Sequence, residues 1–349
     1  MKKNIINNIN NFFIAEIGTN HNQKISIVKK MIKKISQSGC QCVKYQIYES
    51  DEIVNKKVLV SEYNLQKFYG NILAHVMFDK YLKTPKKWFP NLINYGLKYN
   101  LKTAVTIHGE NGLAWAVKNK IHFVKIASMD HNNFPFLLKA VKVLRVPILV
   151  SLGMAKLKDI KILIKILSKY KYGYGVLHCT SLYPPQRNEL RLNNILFLKK
   201  KYNIPVGFSD HSENEKAAIV AKSYGATFFE KHVTLDKKMI GPDHAFALNL
   251  KMLKNYVNKI KKQKFRKKKI TEKFLDLSNR EKVVRKKYLK GLIASRDIKK
   301  NTIIKTTHIK ICRPLGNGME PKYFTKIIGK KTRSFIKADN SFMQSDISR

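Results

Sequence analysis

Short apolar runs alternate with amphipathic segments along most of this chain, and that rhythm narrows the folds open to it. Eight runs read as buried strands, and helix-like segments lie between them. The predicted strands are Phe12–Ile17, Cys42–Gln46, Lys102–Ile107, Phe123–Ala127, Pro147–Ser151, Tyr174–Cys179, Ile204–Phe208 and Thr227–Glu230. Eight strand–helix units in about 250 residues predict an α/β protein with a (β/α)8 (TIM) barrel. A doubly wound open sheet is the alternative, but it gives no reason for eight units.

Two segments depart from this rhythm. Glu49–Lys87 is too long for an ordinary loop, and an insertion at the top of a barrel usually forms part of a site or a lid. From about Leu289, short β-like runs with polar turns replace the strand–helix units. We therefore predict a barrel domain over residues 1–262, a basic linker over 263–288 that continues the dense run Lys259–Lys269, and a small β-rich domain over 289–349.

The net charge of +46 is extreme for a chain of 349 residues and is typical of proteins that bind nucleic acid or membrane surfaces. Here, however, the lysines are spread along the whole chain, and no nucleic-acid-binding motif accompanies them. No stretch approaches the roughly 20 apolar residues of a membrane helix, and the four cysteines lack zinc-type spacing. We expect a cytoplasmic protein with free thiols and with neither nucleic acid nor membrane as partner.

Two histidines, His211 and His232, close the seventh and eighth predicted strands. One predicted helix, Glu213–Tyr224, lies between these strands, so both imidazoles should emerge at the same end of neighbouring parallel strands. Two neutral imidazoles there can hold a divalent metal and leave positions open for substrate and water. Either histidine alone would more often be an unrelated strand-end residue. The pair, with acidic neighbours Asp210 and Glu230, favours a site.

Two lysines, Lys44 and Lys125, lie within predicted strands, near the carboxyl ends where a barrel of this type carries its active site. A buried ammonium group is costly unless it meets a partner. That partner is either a carboxylate, Glu16 or Asp130, or a substrate phosphate or carboxylate. Hydroxyl donors stand at or just after strand ends, at Ser128, Ser151 and Ser181. Lysines and hydroxyls beside a metal suit a small, doubly anionic substrate.

Taken together and in order, these strand-end motifs resemble the sialic acid synthase family, whose members condense phosphoenolpyruvate with an N-acetylated amino sugar. The matching segments are Ala15-Glu16-Ile17-Gly18-x-Asn20-His21, Val43-Lys44-x-Gln46, Lys125-Ile126-Ala127-Ser128, Ser151-x-Gly153-Met154, Leu177-His178-Cys179-Thr180-Ser181-x-Tyr183-Pro184, Gly207-x-Ser209-Asp210-His211, Glu230-Lys231-His232 and Gly241-Pro242-Asp243-His244. The tail, with Arg313-Pro314-Leu315-Gly316-Asn317-Gly318 and Ile328-Gly329-Lys330, looks like the antifreeze-like (SAF) domain that closes these enzymes.

The resemblance implies a reaction that yields a nine-carbon keto acid and phosphate, with C–O cleavage. It implies a divalent metal held by His211 and His232, foremost Mn²⁺, with Mg²⁺ or Co²⁺ as alternatives. The residues implied for catalysis are Glu16, Asp130, His211 and His232. Those implied for phosphoenolpyruvate are Lys44, Thr106, Lys125, Ser128, Ser151, Ser181 and Ser209, and those for the sugar are Gln46, Tyr183 and Arg313. The family also implies a homodimer with exchanged SAF domains, in which Arg313 enters the partner's active site.

The chain departs from the family pattern mainly on the sugar side. His108 follows Ile107 where the family typically has Pro-Phe, Asp130 stands where the bacterial sialic acid enzymes place Glu, Ser181 where they can have Asn, and Leu315 is added to the tail motif. The acceptor therefore stays open among sugars that lead to sialic, legionaminic or pseudaminic acid.

Three other interpretations compete with this one. Another phosphoenolpyruvate–sugar aldol-type synthase is disfavoured by the SAF-like tail. A basic polyanion-binding protein leaves the polar strand ends unexplained. A catalytically decayed relative is disfavoured because both histidines, both lysines and Glu16 are present.

Overall fold

Eight parallel strands close into a barrel in the computed structural model, which describes residues 10–264 and 273–348. Each strand pairs with the next, and β8 returns to pair with β1. The barrel strands are β1 Phe12–Glu16, β2 Cys42–Ile47, β3 Lys102–Ile107, β4 Phe123–Ile126, β5 Ile148–Ser151, β6 Tyr174–Cys179, β7 Val206–Asp210 and β8 Phe228–Thr234. A two-residue strand, β9 (Leu248–Asn249), extends the end of β8. The predicted (β/α)8 barrel is confirmed, and the open sheet is wrong.

Helices surround the barrel and turn their apolar sides towards it. They are α1 Ile25–Ser36, α2 Phe89–Lys98, α3 Glu110–Lys118, α4 Phe134–Val143, α5 Leu157–Leu167, α6 Asn193–Tyr202, α7 Lys216–Ser223 and α8 Leu250–Lys262. In α1, Val28, Met31, Ile32 and Ile35 recur at helical spacing and are buried, whereas the lysines between them are exposed. Much of the basic charge of this helix is therefore solvated.

The interior of the barrel is apolar at its amino-terminal end. One cluster, which we call the lumenal floor, consists of Ile14, Cys42, Ala104, Phe123, Leu149, Leu177 and Phe228. On β7 the corresponding position is Gly207, where a Cβ atom would lie 2.2 Å from Cδ2 of Phe228. A side chain at Gly207 would therefore displace the ring that fills the floor.

Polar residues occupy the layers above the lumenal floor. Residues two positions apart on a strand point to the same side, so each step of two moves one layer towards the carboxyl ends. The second layer holds Glu16, Lys44, Thr106, Lys125, Ser151, Cys179, Ser209 and Glu230. The third layer holds Gln46, His108, Gly153, Ser181, His211 and His232. This alternation gathers the predicted site residues at one end of the barrel.

The insertion Glu49–Lys87 folds into short helices, which are Ser50–Ile53, Gln66–Tyr69 and Ala74–Met77, with tighter or wider turns at Val60–Tyr63, Phe78–Leu82 and Lys86–Trp88. It has an apolar cluster of its own, which includes Val54, Val60 and Met77. The insertion therefore packs as a compact unit over the mouth of the barrel.

A small C-terminal domain follows, built around the antiparallel pair β10 (Gly291–Ala294) and β11 (Ile309–Cys312). It also holds the short helix Phe324–Ile327. Elsewhere in this domain, the short apolar run at Ile303 and Ile304 contributes only an isolated bridge, from Ile303 to Lys331. The prediction of a separate β-rich domain is otherwise confirmed.

Part of the predicted linker is a helix, α9 (Asn279–Tyr288), which begins after the capping hydroxyl of Ser278. Its Glu281 and Arg285 are buried, and Arg285 lies 2.9 Å from Asp159 of the barrel. Residues 265–272, which include the end of the predicted basic run, lie outside the described residues. The predicted domain boundaries remain a prediction.

Across residues 10–264 and 273–348, the structure has no helix with the length and apolar character needed to cross a membrane.

Candidate active site

Four charged side chains of alternating sign, which we call the charged half of the site, lie above the lumenal floor: Glu16, Lys44, Lys125 and Glu230. The Nζ atom of Lys44 lies 2.6 Å from Glu16 and 3.6 Å from Glu230. The Nζ atom of Lys125 donates to both carboxylate oxygens of Glu230, at 2.9 and 3.0 Å. All four residues are buried. Each buried charge has a partner of opposite sign, which is what allows it to stay ionised.

These pairings set the pKa values of the charged half. Burial raises the pKa of the Glu230 carboxyl, but Lys125 and Lys44 outweigh burial and hold that pKa below its ordinary value. For Lys44, burial lowers the pKa, but the two glutamates outweigh it and leave the pKa raised. Burial dominates at Lys125, and its pKa is lowered although Glu230 opposes the shift.

Hydroxyl groups line the charged half. Thr106 accepts a hydrogen bond from Lys44 at 2.6 Å, Ser209 donates to Glu230 at 2.9 Å, and Ser128 accepts from the Gly153 amide at 3.1 Å. The hydroxyls of Ser151 and Ser181 are buried and have no hydrogen-bond partner among the described residues. A buried hydroxyl without a partner is costly, so these two groups are available to a polar ligand.

The histidine pair lies beside the charged half, with the ring centroids of His211 and His232 5.6 Å apart. Nδ1 of His211 lies 3.0 Å from the Thr180 carbonyl oxygen. Nδ1 of His232 has no hydrogen-bond partner within the part of the chain that the structure describes, although a carboxylate oxygen of Asp243 is 3.5 Å away. Burial lowers the pKa of both imidazoles, and at His232 the neighbouring His211 adds to the shift. Both rings are therefore neutral at physiological pH, the form that binds metals.

The donor set of this pair fits a divalent metal with open positions. The unpaired Nδ1 of His232 and the neighbouring imidazole of His211 could supply two ligands. Within residues 10–264 and 273–348, no group of three or more His, Cys, Asp or Glu residues could enclose a metal. The remaining positions would therefore be left to substrate or water.

Aromatic side chains form one wall beside the histidines. The Tyr183 ring lies 4.3 Å from the ring of His211, and Phe246 lies 5.1 Å from that of His232. Tyr183 is 52% exposed, so the predicted sugar-binding ring stands at the rim of the site.

The opposite side of the mouth, which we call the roofed half, consists of Tyr48, His108, Asp130, Lys290 and Arg313. Nζ of Lys290, from the segment that enters the C-terminal domain, lies 2.7 Å from Asp130. The other carboxylate oxygen of Asp130 lies 2.8 Å from Nδ1 of His108, and Lys290 also donates to the His108 carbonyl oxygen. Both oxygens of Asp130 are thus engaged by the chain itself. Gln46, which donates to Glu16 at 3.0 Å, lies between the two halves.

Arg313 is held over aromatic rings of the insertion and of α9. Its guanidinium carbon lies 4.7 Å from the ring of Tyr63, 4.9 Å from that of Phe78 and 5.4 Å from that of Tyr288. Its backbone amide donates to the Ile53 carbonyl oxygen at 3.0 Å. The C-terminal domain therefore packs on the barrel of its own chain, and Arg313 is buried above that chain's site.

The structure confirms the predicted carboxylate partner for only one of the two strand lysines. Lys44 does pair with Glu16. Lys125 pairs with Glu230, and the alternative that Asp130 partners a strand lysine is wrong, because Lys290 and His108 occupy Asp130. Alternation along β8 could have revealed Glu230, which precedes His232 by two residues and so shares its lumenal side.

The contacts of two other site residues, Lys290 and Asp243, could not be predicted from the local sequence. Lys290 lies far from Asp130 along the chain, and its partner depends on where the C-terminal domain packs. Asp243 belongs to a recognised motif, but its approach to His232 depends on the loop after β8.

Comparison with known proteins agrees with this architecture. Residues 31–271 match the NeuB family, and residues 290–348 match the SAF domain. The N,N'-diacetyllegionaminic acid synthase of Campylobacter jejuni is 31% identical over 97% of this chain and 98% of that protein. The N-acetylneuraminate-9-phosphate synthase of Homo sapiens is 28% identical over 95% of this chain and 91% of that protein. The crystal structure of the spore coat polysaccharide biosynthesis protein SpsE of Bacillus subtilis superposes with a TM-score of 0.82 at 25% identity, over 97% of this chain and 95% of that one.

Proposed function

This chain belongs to the NeuB family, and from that premise we propose that it is a nonulosonic (sialic-type) acid synthase. It condenses phosphoenolpyruvate with an N-acetylated amino sugar, either N-acetylmannosamine or a 2,4-diacetamido sugar, and releases phosphate. Relatives named as synthases of legionaminic acid and of N-acetylneuraminate 9-phosphate support the reaction class. The observation that carries the proposal is the combination of two buried lysines with two buried, unpartnered serine hydroxyls at one end of the barrel.

Phosphoenolpyruvate binds at the charged half. Its carboxylate and phosphate match the ammonium groups of Lys44 and Lys125, which Glu16 and Glu230 hold in place beforehand. The hydroxyl groups that complete the site are those of Thr106, Ser128, Ser151, Ser181 and Ser209. Ser151 and Ser181 gain the hydrogen bonds that they lack in the structure.

The acceptor aldehyde lies next to the histidine pair. His211 and His232 would hold the divalent metal, foremost Mn²⁺, which supplies Lewis-acid polarisation of the aldehyde when bound. The nucleophilic carbon of phosphoenolpyruvate forms the new C–C bond, and positive charge develops at the pyruvyl carbon. Water adds there, one of its protons passes to the former aldehyde oxygen, and phosphate leaves with the second proton and with cleavage of its C–O bond, which produces the keto group. The buried carboxylates of Glu16 and Glu230 stabilise the positive centre.

The sugar lies between the histidine pair and the roofed half. Gln46, Tyr183 and Arg313 border this space. Asp130 acts indirectly, through the residues that it holds, because both of its carboxylate oxygens are already bound within the protein.

The enzyme is cytoplasmic and acts as a homodimer. In a dimer with exchanged SAF domains, Arg313 would contact the partner's barrel. Those contacts would be the same ones that Arg313 makes here within its own chain. A sedimentation mass of one chain would rule out that exchange.

The test is an incubation of the purified protein with Mn²⁺, phosphoenolpyruvate and a panel of sugars: N-acetylmannosamine, its 6-phosphate and 2,4-diacetamido sugars. We expect phosphate release together with a nine-carbon keto acid for one sugar, and loss of both on chelation. His211→Ala and His232→Ala should abolish turnover, whereas His122→Ala, at the opposite end of the barrel, should not. Near-normal turnover in both active-site variants would overturn the mechanism, and no product with any sugar would overturn the proposed function.

A further inference from the structure

We propose that His108 is a specificity-determining residue, whose Nε2 atom forms a hydrogen bond with a hydroxyl or amide group of the acceptor sugar. The inference rests on the proposed function, because it names one contact on the acceptor side of that same site.

The location of His108 is given by its contacts. His108 directly follows β3, and its imidazole lies against Asp130 and the ring of Tyr48. The ring centroids of His108 and Tyr48 are 5.6 Å apart. Both residues are buried, and Tyr48 belongs to the apolar cluster of the insertion that packs over the mouth.

The orientation of the imidazole is set by Asp130. A carboxylate oxygen of Asp130 lies 2.8 Å from Nδ1 of His108, and Lys290 neutralises the other oxygen at 2.7 Å. An ionised carboxylate can only accept, so Nδ1 carries the proton. Nε2 is then the ring nitrogen that is left to form a hydrogen bond with another group.

Nε2 of His108 has no hydrogen-bond partner in the described parts of the chain. Nε2 of His108 and the hydroxyl of Tyr48 are both buried, and neither has a hydrogen-bond partner among residues 10–264 and 273–348. Buried polar atoms are normally paired, so two unpaired atoms on adjoining rings at the mouth indicate a ligand that completes them. A sugar, which offers several O–H groups and an amide N–H, has the required chemistry.

Two departures from the family pattern, His108 and Asp130, lie together on the acceptor side of the site. A hydrogen bond joins their side chains, so they form a single structural feature. Because the carboxylate oxygens of Asp130 are held by His108 and Lys290, the atom of this pair that is left for a ligand is Nε2 of His108 and not a carboxylate oxygen. Position 108 therefore takes part in selecting the acceptor.

Two conservative variants separate this role from a structural one. His108→Asn keeps an amide donor near the position of Nδ1, so it retains the bond to Asp130 and loses Nε2. His108→Gln places a polar atom near the position of Nε2. We expect His108→Asn to raise the KM for the acceptor about tenfold, the equivalent of one hydrogen bond in a buried site. We expect His108→Gln to recover most of that loss.

The KM for phosphoenolpyruvate should stay within about twofold in both variants, because the charged half makes no contact with His108. His122→Asn, at the opposite end of the barrel, is the matched control. If His108 only supports Asp130, the Asn variant will behave like the wild-type protein and the Gln variant will be impaired, and that result would overturn the inference.

Acceptor analogues that lack one hydroxyl at a time identify the contact. The analogue without the partner group should bind wild-type protein about tenfold more weakly, but should bind His108→Asn no more weakly than the parent sugar. Wild-type turnover is measured first and tests the proposed function by itself. If no sugar is turned over, calorimetric titration of the same sugars decides the inference: absent binding, or binding that His108→Asn does not weaken, overturns it.

Discussion

The charged half and the roofed half meet at Gln46, but the chain builds them from different parts. The members of the charged half, Glu16, Lys44, Lys125 and Glu230, all come from strands of one barrel. Glu16 and Lys44 are neighbours on β1 and β2, whereas Lys125 on β4 meets Glu230 on β8 across the lumen. The roofed half needs the loops after β2, β3 and β4 together with Lys290 and Arg313, which follow the barrel in the chain. The first half therefore forms when the barrel closes, and the second only when the C-terminal domain docks.

The two halves also use their cations differently. Lys44 and Lys125 are matched by buried carboxylates, so an anionic substrate meets charges already held in position. Arg313 makes no ion pair in the described parts of the chain and instead lies over the rings of Tyr63, Phe78 and Tyr288. The charged half is suited to recognise charge, and the roofed half to recognise shape and hydrogen bonding.

The largest effect is expected for Lys125→Met in the charged half. Glu230 would lose its closest buried partner, and we expect the free energy of unfolding to fall by about 3 kcal/mol. The kcat/KM for phosphoenolpyruvate should fall at least about a hundredfold. The matched control is Lys139→Met, which removes an exposed pair with Glu110 of 2.6 Å and should change stability by about 0.5 kcal/mol or less. Urea unfolding and initial rates measure both, and equal stabilities of the two variants would contradict the role of the buried pair.

Lys290→Met tests whether the roofed half also depends on charge. Burial raises the pKa of Asp130, but Lys290 and His108 outweigh it and hold the pKa below its ordinary value of 3.8. A depressed carboxyl pKa stabilises the fold above 3.8, and this stabilisation is lost as the pH falls through the folded-state pKa. We expect the variant to be about 3 kcal/mol less stable than wild type at pH 7. The difference should shrink in acid, and a difference that did not change with pH would contradict the pairing.

Arg313→Ala should affect stability and the acceptor side. Loss of a buried stack on aromatic rings corresponds to about 2 kcal/mol, so we expect the free energy of unfolding to fall by about that amount. Because Arg313 borders the proposed sugar space, the KM for the sugar should also rise while that for phosphoenolpyruvate is unchanged. Arg145→Ala is a suitable control, because Arg145 lies 5.4 Å from the Tyr172 ring, away from the site. An equal rise in both KM values would show that the two halves do not act separately.

The smallest effect is expected for Ser151→Ala. Its hydroxyl is buried without a partner, so its removal should not lower the free energy of unfolding, although the KM for phosphoenolpyruvate should rise about five- to tenfold. Ser209→Ala, in contrast, removes a hydroxyl that donates to Glu230 and should destabilise the protein by about 1.5 kcal/mol. A loss of stability in Ser151→Ala would mean that the hydroxyl has a partner within the fold.

Much of the charged half could be predicted from sequence because its geometry is local to each strand. Alternation places Lys44 and Lys125 on the lumenal side, and the same rule applies to His211 and His232. The roles of these residues in binding and catalysis stay predictions. The roofed half was predicted less well, since Asp130 proved to be bound by Lys290 and His108.

The sequence by itself determined the barrel, its register of polar strand ends and the second domain, because hydrophobic periodicity acts over a few residues at a time. Only the tertiary structure decided which charges meet. Lys125 and Glu230 are 105 residues apart in the chain, and Lys290 lies 182 residues beyond His108. Such pairs form only when the barrel closes or the C-terminal domain docks, and a buried charge takes whichever partner that packing supplies.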